Sequence, residues 1–204
     1  MKENSSIIAL NRDKRFARLI KKYGFPNRML RKNPFQSLVR SIIYQQVSGT
    51  AAVSILGRFV DLFDGKNFPT PEKVSKTSIE KLRSAGLSSQ KALYIKDCAE
   101  KFSNGTIKYR TLRRMTNEEI IAHLVQVKGI GVWTAHMFLM STMNRLDILP
   151  TGDLGIRKGF QIVYGLKNLP NHKKMEQLAK PWREHSTIAC WYLWQVANEA
   201  NLKK

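Results

Sequence analysis

The chain has 204 residues, 43% of them hydrophobic, enough apolar mass for one compact core or two small lobes and too much for a disordered tail. Lys and Arg number 35 against 15 Asp and Glu, a formal net charge of +20; this exceeds what solubility requires and fits a polyanionic partner, with nucleic acid ahead of an anionic membrane surface. No apolar run approaches the roughly 18 residues of a spanning helix, and the opening MKENSSIIAL lacks the charged-then-apolar pattern of a signal peptide, so the expectation is an intracellular protein with no membrane partner.

Apolar residues recur with helical spacing along most of the chain, and strand-like alternation is nearly absent. Phe16, Leu19, Ile20 and Tyr23 fall on one helix face that Gly24 ends. Asn33 can cap a second helix with Pro34 in its first turn, where a missing N–H costs nothing, and Phe35, Leu38, Val39, Ile42 and Ile43 form its buried stripe. Ala52, Ile55, Leu56, Phe59 and Phe63 predict a third helix, and Ala92, Ile95, Ala99 and Phe102 another. TSIE at 77–80 and TNEE at 116–119 both fit a capping box, in which Thr and Glu side chains satisfy unpaired backbone donors. The last long helix is expected from about Glu184 to Asn198. The fold class is therefore all-α, with roughly ten short helices in residues 1–204 and no linker long enough to separate independent domains. Cys98 and Cys190 stand far apart without a CxxC pair and read as buried small residues; His123, His136, His172 and His185 have no ligand spacing.

Ile120, Ile121, Leu124 and Val127 carry one helix into Lys128-Gly129-Ile130-Gly131, and a new helix starts at about Val132. Glycines permit positive φ and bring bare backbone close to a ligand, while the new helix points unpaired N–H groups and the positive end of its dipole outward. Such a turn cradles an anion: Lys128 adds a phosphate contact, and Ile130 plugs the groove between the two helices. An ordinary C-cap at Gly129 also fits KGIG alone, and the net charge tips the reading toward phosphate. Shortly after comes LPTGD, whose Asp153 can cap a helix starting near Leu154.

LVQVKGIGVWTAHMF followed by LPTGDLGIRKGF resembles the hairpin, loop and aspartate of the helix-hairpin-helix DNA glycosylases (the HhH-GPD superfamily), and within it the DNA-3-methyladenine glycosylase II family. PFQSLVRSIIYQQVSGTAA, GLSSQKALYIKDCAEKF and PWREHSTIACWYLWQ are similar to that family's segments in the same order, so the resemblance spans about residues 34–194. It implies a two-lobed helical fold with the active site in the cleft between lobes, a central lobe of about 34–145, and a second lobe of about 1–33 plus 146–204. It also implies a monomer acting on double-stranded DNA that contains damaged bases, in the nucleoid or the nucleus according to source.

A purine alkylated at a ring nitrogen already carries positive charge and leaves without an acid, so one carboxylate suffices where glycoside hydrolysis normally recruits two. The resemblance gives that role to Asp153, as a stabiliser of positive charge on the sugar or as a base for water. The target nucleotide must be rotated out of the duplex. Trp133 and Trp191, with Tyr44 as neighbour, match base-pocket positions whose ring faces attract a cationic base; Trp182 and Trp194 read as packing. Lys128, Gly129, Ile130, Gly131 and Thr134 are the expected DNA-backbone contacts. Gln46 and Val47 are the expected minor-groove wedge, although Gln46 is polar where a relative is apolar, so the wedge can also come from elsewhere. Bifunctional relatives carry a lysine two residues after the second hairpin glycine; Trp133 stands there, which implies hydrolysis without strand cleavage. No cofactor is expected beyond a sodium or potassium ion on the carbonyls of Val125, Val127 and Ile130. The competing reading is a non-enzymatic DNA-binding protein that uses the hairpin for backbone contacts alone. The substrate expectation is 3-methyladenine, extended to 7-methylguanine and etheno adducts.

Overall fold

A computed structural model describes residues 2–202. In chain order the helices are α1 (Lys2–Leu10), α2 (Lys14–Tyr23), α3 (Pro34–Tyr44), α4 (Gly49–Asp61), α5 (Pro71–Ser75), α6 (Ile79–Ser84) and α7 (Ser89–Ser103). They continue with α8 (Tyr109–Leu112), α9 (Asn117–Leu124), α10 (Val132–Ser141), α11 (Leu154–Tyr164), α12 (His172–Ala179), a 3-10 helix (Lys180–His185) and α13 (Ser186–Leu202). The described residues contain no strand, so the all-α expectation holds. The helices exceed the ten expected in part because α5 and α8 are five and four residues long, too short to show a periodic stripe.

Two compact units divide the chain, residues 31–138 in one and residues 1–30 with 139–204 in the other. In the first, α3 begins as its sequence predicts: the Asn33 side chain accepts the N–H of Gln36, Pro34 occupies the first turn, and Phe35, Leu38, Val39, Ile42 and Ile43 are buried. Its partner α7 buries Ala92, Ile95, Cys98 and Ala99, spaced i, i+3, i+6, i+7 along one face. Phe35 closes one end against Phe68 and Phe102, at ring distances of 5.9 and 5.4 Å.

The second unit is organised by α11 against α13. Gly159 makes the close approach possible, since a Cβ there would lie 2.5 Å from the carbonyl oxygen of Leu193. Around that contact Trp182 stacks on Phe160 at 5.7 Å, meets Phe16 edge-on at 5.3 Å and donates its indole N–H to the Tyr164 hydroxyl. Trp182 is therefore a packing residue, as read from sequence. Burial, reinforced by the nearby Asp153 charge, pushes the Cys190 thiol well above its usual pKa, so Cys190 is an inert core group.

Two helix starts differ from expectation. The box at 116–119 forms in full, with Thr116 accepting from the Glu119 N–H and Glu119 accepting from the Thr116 N–H. At 77–80 the cap is Ser78, which accepts from Lys81, while the Thr77 hydroxyl donates back to the Lys73 carbonyl. The one-residue shift arises because Thr77 already serves the end of α5. The final helix starts at Ser186 rather than Glu184, behind the 3-10 turn that contains Pro181.

Candidate active site and nucleic-acid interface

Asp153 is 9% exposed and caps α11, its Oδ1 accepting the backbone N–H of Ile156 at 2.8 Å. The same oxygen accepts the indole N–H of Trp194 at 3.0 Å. LPTGD folds tightly enough to deliver the carboxylate: the Asp153 N–H donates to the Pro150 carbonyl and the Thr151 N–H to that of Leu149. Upstream, the segment is tied to α13 through Thr187, whose hydroxyl donates to the Arg145 carbonyl and accepts from the Ile148 N–H. Gly155 leaves room for the indole, because a Cβ there would stand 2.9 Å from Trp194 and 3.1 Å from Asp153 Oδ1.

Trp194 was expected only to pack, and the structure gives it a polar partner at the candidate catalytic group. The signal in sequence was its spacing, three residues after Trp191 and hence on the same face of α13. Trp191 is partly exposed there and meets Tyr192 edge-on at 5.0 Å.

In the other unit, α9 ends at Leu124 and the turn proceeds through Val127, which is buried, to Ile130, also buried. The Ile130 N–H donates to the Val127 carbonyl. Gly129 has φ +80° and rests on Tyr94; a Cβ there would lie 2.1 Å from the ring, so glycine is required both by conformation and by space. Gly131 differs, for nothing stands within 4 Å of its would-be Cβ and its φ is not positive. Its missing side chain leaves bare backbone open to an outside group. The Lys128 main chain is pinned by Asp97, whose Oδ2 accepts its N–H at 2.9 Å, while the lysine itself is exposed.

The first α10 bond runs from the Ala135 N–H to the Gly131 carbonyl, so the amides of residues 132–134 lie ahead of the helical ladder, at the positive end of the dipole. Thr134 is only 5% exposed, so the group it can offer a phosphate at this helix start is its backbone amide. Trp133 sits beside it, 51% exposed. His136, one turn on, is partly buried, and burial lowers its pKa, which favours a neutral ring.

Gln46 and Val47 are exposed in the turn between α3 and α4, and Gln46 adopts φ +55°, the left-handed conformation that non-glycine residues rarely take. The structure brings this turn to the hairpin through Gln45, whose side-chain amide donates to the Gly129 carbonyl at 2.8 Å. Tyr44 ends α3 with the Arg40 guanidinium 4.1 Å above its ring and a buried hydroxyl that lacks a hydrogen-bond partner. One ring face is thus already engaged by a cation, which weakens Tyr44 as a wall for a positively charged base.

Among the described residues no three His, Cys, Asp or Glu side chains are grouped to hold a metal, and no helix is long and apolar enough to cross a membrane.

A family model described as "HhH-GPD superfamily base excision DNA repair protein" matches residues 39–184. DNA-3-methyladenine glycosylase 1 of Schizosaccharomyces pombe is 36% identical over 199 residues, covering 94% of this chain and 86% of that protein. Among solved structures, the S. pombe 3-methyladenine DNA glycosylase (Mag1) in complex with abasic DNA superposes with a TM-score of 0.82 at 35% identity, over 95% of this chain and 97% of that one. A DNA-3-methyladenine glycosidase from Bacillus halodurans gives a TM-score of 0.87 at 36% identity, over 99% and 92%.

Proposed function

Because the chain belongs to the HhH-GPD superfamily of base excision DNA repair proteins, we propose that it is a monofunctional DNA glycosylase that hydrolyses the N-glycosidic bond of alkylated purines in duplex DNA. The observation that carries this reading is the seat of Asp153 at the start of α11, its Oδ1 held by one backbone and one indole N–H. Two donors on one oxygen fix the direction of the carboxylate before substrate arrives. The names of the relatives, 3-methyladenine glycosylases, support 3-methyladenine as the first substrate, with 7-methylguanine and etheno adducts as extensions.

The steps follow from charge. Backbone amides at the start of α10, the bare backbone of Gly131 and the Lys128 side chain hold phosphate. The damaged nucleotide leaves the stack, and Gln46 with Val47 fills the gap. Trp133 and Trp191 offer ring faces to the cationic base. As that base departs with the bonding electrons, positive charge grows on the sugar; the Asp153 carboxylate stabilises it or directs a water to the anomeric carbon, where a C–O bond replaces the C–N bond. Trp133 occupies the position of the Schiff-base lysine in bifunctional relatives, so an abasic site remains with its strand intact. The hairpin carbonyls of Val125, Val127 and Ile130 are the proposed ligands for a sodium or potassium ion; their oxygen character suits a hard monovalent cation.

The test is incubation of the purified protein with alkylated duplex DNA and chromatography of released bases. Free 3-methyladenine, with no strand nicking and no borohydride-trapped adduct, is the expected result. Duplex binding without base release would assign the chain to non-enzymatic DNA binding, and a trapped adduct would overturn the monofunctional assignment.

A further inference from the structure

Helix α7 makes contacts that neither its packing nor its solubility requires. Lys91, at the third position behind the Ser88 cap, directs its ammonium across to the end of α3, donating to the Ile43 carbonyl at 2.7 Å and the Gln45 carbonyl at 2.6 Å. Partial burial lowers the pKa of Lys91, so placing the ammonium there has a desolvation cost, and among the described residues no carboxylate forms an ion pair with it. Gln45, held by its own carbonyl, uses its side-chain amide on the Gly129 carbonyl. One turn further along α7, the Tyr94 ring underlies Gly129, and after another turn Asp97 takes the Lys128 N–H. A single helix face, Lys91, Tyr94 and Asp97, therefore touches both the Gln46 turn and the hairpin. Each of those turns contains a left-handed residue, Gln46 at φ +55° and Gly129 at φ +80°, and Gln45 is bonded to the one and adjacent to the other. Left-handed backbone at a non-glycine residue persists only where its surroundings hold it.

We propose that Lys91 and Gln45 are positioning residues that lock the stack-filling turn to the phosphate-binding hairpin, so that gripping the backbone and holding the duplex open occur as one rigid act. An ordinary C-cap of α3 would explain a donor to one carbonyl; it does not explain the onward link from Gln45 to the hairpin. The inference rests on the glycosylase reading for its biological meaning, while its geometry is independent of that reading.

The test compares wild type with Lys91→Met and Gln45→Met on two substrates, one with the alkylated purine paired in duplex and one with it in an unpaired bulge. Stack opening is followed separately by fluorescence of 2-aminopurine placed beside the lesion. Lys91→Met removes two hydrogen bonds and Gln45→Met the one that reaches the hairpin, so single-turnover base release from the paired substrate should fall roughly tenfold in each. Release from the bulge should fall less than about threefold, since the base there is already unstacked, and the 2-aminopurine rise should shrink in both variants. Equal loss on both substrates, or no loss on the paired one, overturns the proposal. Should Lys91→Met fail to fold by circular dichroism, the Gln45→Met comparison decides. If wild type releases no base from either substrate, the glycosylase reading fails and the fluorescence arm alone decides: an undiminished rise in the variants overturns the lock.

Discussion

Trp194 combines packing with a polar contact to the candidate catalytic group. Its ring fills the space left by Gly155, and its N–H ends on Asp153 Oδ1. Trp194→Phe keeps the ring and removes the donor, and a hydrogen bond to a charged acceptor contributes about 1.5 kcal/mol. Base release should therefore slow up to roughly tenfold, and the melting temperature by calorimetry should fall by about 3–6 °C, since the same bond contributes to folding. An unchanged rate would show that the bond is incidental. The sequence made Asp153 legible through its place after the hairpin and ahead of a helix, and it made the buried character of Trp182 legible through apolar context. It could not single out Trp194, because the contact depends on how closely α11 and α13 approach, and that distance is set by Gly155 and Gly159 together. Nor could it show that Thr134 is buried or that Arg40 covers one face of Tyr44, since both are outcomes of packing.

Within the hairpin the two glycines have different reasons to be there, and substitution separates them. Gly129→Ala places a methyl group inside the Tyr94 ring and demands positive φ of alanine. Its expected outcome is a loss of about 1–3 kcal/mol of stability, read from chemical denaturation, together with weaker DNA binding. Gly131→Ala meets no atom of the protein within 4 Å, so stability should be unchanged, whereas affinity for undamaged duplex should fall about tenfold as the methyl group intrudes on an approaching phosphate. Equal affinity of Gly131→Ala and wild type would contradict the phosphate cradle. Helices with long apolar stripes or a full capping box, α2, α3, α4, α7 and α9, were readable in the chain. The short α5 and α8 were not, because a single turn carries no period; α6 was legible through its capping residues, with the cap displaced by one residue to Ser78 because two hydroxyls compete where one helix ends and another begins.

Across the whole molecule, the charge of +20 survives internal pairing. Glu3 is spent on Arg28, Glu199 on Lys22 and Asp97 on Lys101, and such pairs leave the excess of cations for an outside polyanion. Neutralising some five to eight phosphates gives a slope of about −4 to −7 in a plot of log affinity against log salt; fluorescence anisotropy over a salt series would check this, and a flat plot would mean that the charge serves some other purpose. The proposed reaction requires one carboxylate, Asp153, for chemistry and not for binding. Its most direct test is Asp153→Asn under single-turnover conditions on a duplex containing one alkylated purine, with affinity measured on the same DNA. The predicted result is a loss of roughly 10²-fold or more in base release with affinity within about threefold of wild type; release at the wild-type rate by Asp153→Asn would contradict it.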